Sequence, residues 1–164
     1  MRQLLALGLV LFLPQSSGFN VERLSLCQDS WLEWKDDAAR LRTMAEGFQS
    51  AFEQKPGDGF FVPKSPVSVV GLPVKRLFPD SIGMAVGFSV ILDAGFDATR
   101  KNVEKAIGKP LKKCETGDHM TTCGLELGEK KTLTLMADDD PMSKETLVGC
   151  YYFYAKPPAR SLSR

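Results

Sequence analysis

Four cysteines, spread over most of the chain, constrain this sequence more than any other feature. An even number of cysteines in a protein that leaves the cytoplasm is typical of a disulfide framework, and four allow three pairings. Cys114 and Cys123 flank a predicted hairpin centred on Asp118-His119. A two-residue turn there places the two cysteines directly opposite, about 4.5–5.5 Å apart between Cα atoms, which suits a disulfide. The remaining two, Cys27 and Cys150, then pair by elimination.

The first 18 residues have the pattern of a cleavable secretory signal peptide. Arg2 precedes an apolar run over residues 4–13, and small residues lead to a cleavage position after Gly18. The run is shorter than the roughly 20 apolar residues that span a bilayer. An uncleaved anchor or a buried N-terminal helix is the alternative interpretation. We expect a mature chain that begins at Phe19, is periplasmic or secreted, and has no membrane span.

The charge balance bears on the kind of partner. Of 21 basic and 20 acidic side chains, the leader holds one, Arg2, so the mature chain carries no net charge. Nonspecific binding to nucleic acid needs a basic surplus, so we expect no nucleic-acid partner. The most basic stretch, residues 156–164, is rich in proline. We predict that it is a flexible tail outside a single α+β domain spanning residues 19–155.

Two segments carry helical patterns. In residues 19–54, Asp36-Asp37 marks a break and a new N-cap. The apolar side chains of this segment recur at spacings of three and four, and they are Trp31, Trp34, Ala38, Leu41, Met44, Ala45, Phe48 and Phe52. Core packing explains this stripe better than a partner groove, because a helix must bury such a stripe. The second helix is predicted over residues 97–107, with Asp97 as N-cap and Gly108 just past its end.

Period-two alternation predicts strands in the rest of the chain. The clearest strand covers residues 84–92, with large side chains on one face and small ones on the other. An earlier strand over residues 67–78 contains Gly71 and Pro73, so we expect it to be bulged or to lie at a sheet edge. The last strand is predicted near residues 146–154.

Short turns imply antiparallel pairing. The sequence therefore predicts an α+β fold with a five-stranded antiparallel sheet and two main helices, in the order α-β-β-α-β-β-β, stabilised by disulfides. This order is similar to that of profilin-like and roadblock-type domains. A resemblance in element order implies a fold and leaves the function open.

Few patterns point to catalysis or to a bound group. His119 with the two hairpin cysteines resembles half of a zinc site, but a structural zinc takes four ligands, and a disulfide beside an exposed histidine is expected instead. Residues 138–140 lack the ligand spacing of a calcium loop and indicate a turn. Glu115 and Glu126 are the acid pair that a carboxylate-based hydrolase would use. We expect no metal and no cofactor, and we favour a noncatalytic protein over an enzyme.

Two groups of residues are candidate binding sites. Tyr152 and Tyr154 share one side of the last strand, where tyrosine can combine apolar area with a hydroxyl group at a partner surface. The alternative is a last strand that is buried on both faces. Ala85, Gly87 and Ser89 form the small-residue face of the clearest strand. That face can accept a close helix, which we favour because a helix follows directly, or it can floor a ligand pocket.

These observations support three hypotheses about function. The first is an exported, noncatalytic module that binds another extracytoplasmic protein, as inhibitors and immunity-type proteins do. The second is an extracytoplasmic protein that binds a small ligand on the small-residue strand face. The third, and the weakest, is the carboxylate-based hydrolase.

Overall fold

The computed structural model describes residues 19–29, 36–57, 59–82, 85–128, 130–140 and 142–153. Within them lie three helices: α1 (Val21–Ser25), α2 (Ala38–Ala51) and α3 (Phe96–Ile107). The nine strands of the same residues are β1 (Phe52–Gln54), β2 (Phe61–Pro63), β3 (Ser68–Val69), β4 (Leu72–Ile82), β5 (Ala85–Asp93), β6 (Lys113–Gly117), β7 (Met120–Glu126), β8 (Lys131–Asp138) and β9 (Glu145–Phe153). The predicted leader, the basic tail and Tyr154 lie outside the described residues.

Capping residues set the ends of the helices. The Asp37 carboxylate accepts a 2.9 Å hydrogen bond from the Arg40 amide at the start of α2, which confirms the predicted cap. Gly108 follows α3 with a φ of 67°, the left-handed conformation expected past a helix end. The cap that begins α3 is Gly95, so the prediction of Asp97 is wrong. Of the predicted helical stripe, Trp31 and Trp34 lie outside the described residues.

The strands form one antiparallel sheet in the order β1-β2-β4-β5-β9-β8-β7-β6, with β3 paired to β4. The prediction of five strands is therefore wrong, while the α+β class is confirmed. Strands β1, β2 and β3 have three residues or fewer. Such short strands show no period in the sequence, because alternation needs four or more residues to be recognised. The helix predicted over residues 19–54 is also corrected: α1 ends at Ser25, before the predicted break, and α2 ends at Ala51, where the short strand β1 begins.

A strained turn divides the strand predicted over residues 67–78 into β3 and β4. Val70 and Gly71 have φ values of 49° and 77°, and a β-branched residue at positive φ is unfavourable. Side chains from two helices hold both backbone groups of Val70. Its amide donates to the Glu22 carboxylate at 2.7 Å, and its carbonyl accepts from the Asn102 side chain at 3.2 Å. The turn thereby fastens the sheet to α1 and α3.

The core lies on the face of the sheet that carries the large side chains of β5. Phe88, Val90 and Leu92 belong to one buried cluster together with Val103 of α3 and Leu24 of α1. Both helices pack on this face, since it offers far more apolar area than the small-residue face. The expectation that a helix covers Ala85, Gly87 and Ser89 is wrong.

Two disulfides join the predicted pairs of cysteines, which confirms both predictions. Cys27 is bonded to Cys150 with 5.1 Å between Cα atoms, and Cys114 is bonded to Cys123 with 4.0 Å. The first bridge ties the segment after α1 to the central strand β9. Two disulfides suggest an oxidising, extracytoplasmic environment. None of the three described helices has the length and apolar character needed to cross a membrane.

Candidate binding surface

Tyr152 lies in the core rather than on the exposed surface that the sequence predicted. Its ring is 6% exposed and belongs to the main buried cluster, and its hydroxyl donates to the Asp29 carbonyl at 3.2 Å. The reason is the central position of β9 between β5 and β8, with α1 packed over this face. The binding role of Tyr152 and Tyr154 stays a prediction, and the burial of Tyr152 does not favour it.

The small-residue face of β5 is filled by a side chain of the neighbouring strand. Gly87 is paired with Tyr151, and a Cβ atom built on Gly87 would lie 2.5 Å from Cε1 of that ring. The Tyr151 hydroxyl lies 3.4 Å from Oγ of Ser89, whose exposure is 0%. Ala85, Gly87 and Ser89 therefore make room for a ring of the protein itself. Their binding role also stays a prediction, one that this packing does not favour.

A cleft of about 520 Å³ lies between α1, α2 and the β3 segment, and sequence reasoning missed it. Phe19 forms one wall and makes edge-to-face contacts with Phe48, Phe52 and Phe88. Gly47 allows this approach, since a Cβ atom there would meet the Cβ atom of Phe19 at 2.5 Å. The volume falls in the range of ligand pockets.

Three of the four polar side chains that line this cleft already serve the local backbone. Asn20 caps α1 by accepting from the Arg23 amide, and Glu22 accepts from the Val70 amide. Ser50 donates its hydroxyl to the Gly47 carbonyl within α2. Because specific ligand sites rely on a few converging polar groups, the cleft has little polar capacity left for recognition.

A cluster of charges joins β4, β5 and β9 on the other face of the sheet. Glu145 pairs with Lys75 at 2.7 Å and with Arg76 at 2.6 Å. The hydrogen bond from Lys75 lowers the pKa of Glu145 despite partial burial, and the same bond raises the pKa of Lys75. Arg76 also lies 5.0 Å from the centre of the Phe60 ring. Asp93 of β5 lies 3.8 Å from Lys75, so two carboxylates balance the two cations. The cluster is therefore a brace between strands rather than a charged binding site.

The residues considered for metal or acid chemistry are placed apart or already bonded. Both sulfur atoms of the possible zinc half-site form the Cys114–Cys123 disulfide. The described residues contain no group of three His, Cys, Asp or Glu side chains that could hold a metal ion. Asp140 accepts a 2.8 Å hydrogen bond from the Met142 amide, as expected of a turn. The possible acid pair, Glu115 and Glu126, has two exposed side chains. Glu126 also forms an ion pair with Lys113 at 2.6 Å.

The β6–β7 hairpin is a stiff, tightly defined element. Its two turn residues, Asp118 and His119, have φ values of 50° and 65°, the type I′ pattern. Three kinds of cross-strand link join the strands: the disulfide, the Lys113–Glu126 ion pair, and a 3.1 Å contact between the hydroxyls of Thr116 and Thr121. Strand β6 therefore holds its extended shape with β7 as its one neighbour among the described strands.

Strand β6 ends the sheet, and all five of its residues are exposed. In a two-residue hairpin the closing pair, Gly117 and Met120, is hydrogen-bonded, and bonded and non-bonded pairs then alternate along the ladder. Thr116 and Cys114 thus belong to non-bonded pairs, and the short Cα distance of the disulfide agrees with this. Their amides and carbonyls point away from β7, and no described strand or helix pairs with that side of β6.

Met120 of this hairpin and Met142 of the loop after β8 are the two exposed large apolar side chains of the described residues. Met120 follows the turn and is 40% exposed, and Met142 is 84% exposed. Strand β8 and the loop after it join them, since Met120 pairs with Asp138 and the Asp139 amide donates to the His119 carbonyl at 2.8 Å. The free strand edge and the exposed methionines together make this hairpin the best candidate for an interaction surface.

No protein-family model, curated protein or solved structure matches the chain.

Proposed function

We propose that this protein is an exported, noncatalytic module that binds a protein partner by adding a strand to the outer edge of β6. The observation that carries the proposal is the set of outward-facing backbone groups on Cys114 and Thr116. An unpaired strand edge is a template for another extended chain, and proteins normally shorten, bend or cover such edges. Here the edge is exposed and cross-linked to β7, which supports a role in pairing.

The stiffness of the hairpin favours binding on energetic grounds. Ordering a flexible segment on binding costs conformational entropy, and a pre-organised strand avoids much of that cost. Main-chain hydrogen bonds supply affinity in strand addition, while side chains beside the edge supply specificity. Met120 beside the turn, and Met142 in the loop after β8, add apolar, adaptable contact area, and methionine is enriched at protein interfaces.

Protein binding is better supported than binding of a small ligand. The cleft beside Phe19 has a suitable volume, but three of its four polar side chains are engaged with the local backbone. The small-residue face of β5 is occupied by Tyr151. Neither place offers the free converging polar groups that fix a small molecule.

Export, to the periplasm or outside the cell, rests on the leader pattern of residues 1–18 together with the disulfides. Cleavage after Gly18 would leave Phe19 as the first residue. Its ring already packs against Phe48 and Phe52, which supports a folded unit that starts at this position.

Two substitutions at Thr116 test the proposal. Thr116→Pro removes the outward amide, which bonds no residue of β7, and proline is tolerated on edge strands. Thr116→Ala keeps the amide and loses the same hydroxyl contact with Thr121. The immobilised wild-type protein should capture a partner from the extracytoplasmic fraction, Thr116→Ala should keep it, and Thr116→Pro should lose it at an unchanged melting temperature. Equal capture by both variants would exclude β6 as the binding edge.

A further inference from the structure

We infer that the strand added to β6 is β6 of a second copy of this chain, paired antiparallel about Cys114. This inference rests on the proposed strand-adding function and names its partner. Its basis is the pattern of charges along β6, which is self-complementary in one register. Lys113 and Glu115 flank Cys114 and project on the same face of the sheet, since they are two residues apart in one strand.

Backbone geometry leaves three registers to compare. Only residues whose amides and carbonyls point outward can form the hydrogen-bonded pairs of a new ladder. In β6 these residues are Cys114 and Thr116, so a two-fold axis can pass by Cys114, by Thr116, or between the two at Glu115. The pairing cannot extend far past either end, because Leu111 is bonded through its amide and carbonyl to α3 and the turn follows Gly117.

Charge selects one of the three. With the axis at Cys114, Lys113 of each copy lies directly opposite Glu115 of the other, which gives two pairs of opposite charge. With the axis at Glu115, the two Glu115 carboxylates face each other, and like charges directly opposite are destabilising. With the axis at Thr116, Glu115 lies opposite Gly117 and gains no charged partner. The register about Cys114 is the only one in which both charged residues of β6 gain opposite-charge partners.

The surroundings of Lys113 are compatible with this pairing. On the inner side, its ladder partner in β7 is Gly124, which has no side chain to occupy the space beside it. Its present contact with Glu126 is a surface ion pair, with side chains 71% and 69% exposed, so a second carboxylate can approach the same ammonium group. In this register Thr116 of each copy lies opposite Lys112 of the other, just before β6. The pairing occupies the outer edge of both copies, so it yields a closed dimer and no longer fibre.

Complementary charge reversal tests the inference in the mature protein carrying Glu126→Gln, which removes the internal ion pair from every sample. With Lys113→Glu, the new carboxylate would face Glu115 of the second copy. With Glu115→Lys, two lysines would face each other. Each single variant should therefore dimerise roughly tenfold or more weakly than the background protein. An equimolar mixture of the two variants restores both opposite-charge pairs and should form a heterodimer.

Sedimentation velocity at low ionic strength distinguishes the outcomes, with circular dichroism to check the fold of each variant. A dimer that weakens in both single variants and returns in their mixture supports the inference. A dimer that is unaffected by the charge reversals overturns it. A protein that stays monomeric, yet loses a captured partner on Thr116→Pro, also overturns it and leaves the proposed strand addition intact. If Thr116→Pro keeps both the dimer and the captured partner, the dimer inference and the proposed strand addition are both overturned.

Discussion

At the scale of single residues, the contact between Gly87 and Tyr151 explains why the small-residue face of β5, a candidate site in the sequence, is covered by the protein itself. The ring of Tyr151 lies where a side chain of residue 87 would stand. The alternation of small residues in β5 was visible in the sequence. The ring of β9 that covers these small residues was not predictable from the sequence. The register of β5 against β9 joins segments about 60 residues apart, and no local pattern specifies it.

Replacing Gly87 by alanine tests this packing, because two effects of opposite sign compete. Alanine is preferred over glycine within a strand by roughly 0.5–1 kcal/mol. The added methyl group would meet the Tyr151 ring, however, and overpacking costs about 1–3 kcal/mol. We expect net destabilisation in urea unfolding. Gly124→Ala in β7 is the matched control, since its nearest neighbour would be Cγ2 of Thr132 at 3.8 Å, and it should be neutral or slightly stabilising. Equal behaviour of the two variants would contradict the packing.

At the scale of secondary-structure elements, the sequence predicted the features that depend on residues close together in the chain. The cap at Asp37, the end of α3 at Gly108 and the β6–β7 hairpin each depend on a few neighbouring residues, and the sequence carries them. The hairpin prediction also led to both disulfides. The order of strands was not predictable, since it depends on pairing between distant segments. The position of β6 at the edge, and with it the candidate surface, follows from that order.

At the same scale, a carboxylate of α3 holds the segment that connects α3 to β6, and its pKa is shifted. The Glu104 carboxylate accepts from the Leu111 amide at 2.8 Å and from Arg100 at 3.0 Å. The hydrogen bond from Leu111, followed by that from Arg100, lowers the pKa of Glu104 below its ordinary value of 4.5. A lowered pKa in the folded state contributes stability that is present above the ordinary value and is lost as the pH falls through the folded value.

Glu104→Gln should therefore destabilise the protein at pH 7, and the difference from wild type should shrink as the pH falls below about 4. Urea unfolding at neutral and acid pH measures this directly. Glu53→Gln, at an exposed position of β1, is the control for loss of one surface carboxylate, and it should leave stability at pH 7 nearly unchanged. A difference between Glu104→Gln and wild type that stays constant with pH would mean that the carboxylate charge plays no part in holding Leu111.

At the scale of the whole molecule, the two disulfides have different structural roles. Cys27–Cys150 closes a loop of 123 residues and ties α1 to the centre of the sheet, whereas Cys114–Cys123 spans nine residues at its edge. Cross-linking limits the unfolded chain more strongly for the longer loop, by roughly 5 against 3 kcal/mol. The long bridge thus mainly stabilises the fold, and the short one fixes β6 beside β7, as the proposed pairing requires.

Amide hydrogen exchange along β6, followed by NMR, tests the pairing most directly. In the monomer, the amides of Cys114 and Thr116 should exchange quickly because they face solvent, while the amide of Glu115 should be protected by its pairing with Thr122. When the protein dimerises or binds its partner, Cys114 and Thr116 should become protected and Glu115 should stay as it was. Formation of a complex, verified by sedimentation, with Cys114 and Thr116 still exchanging quickly would contradict strand addition at β6.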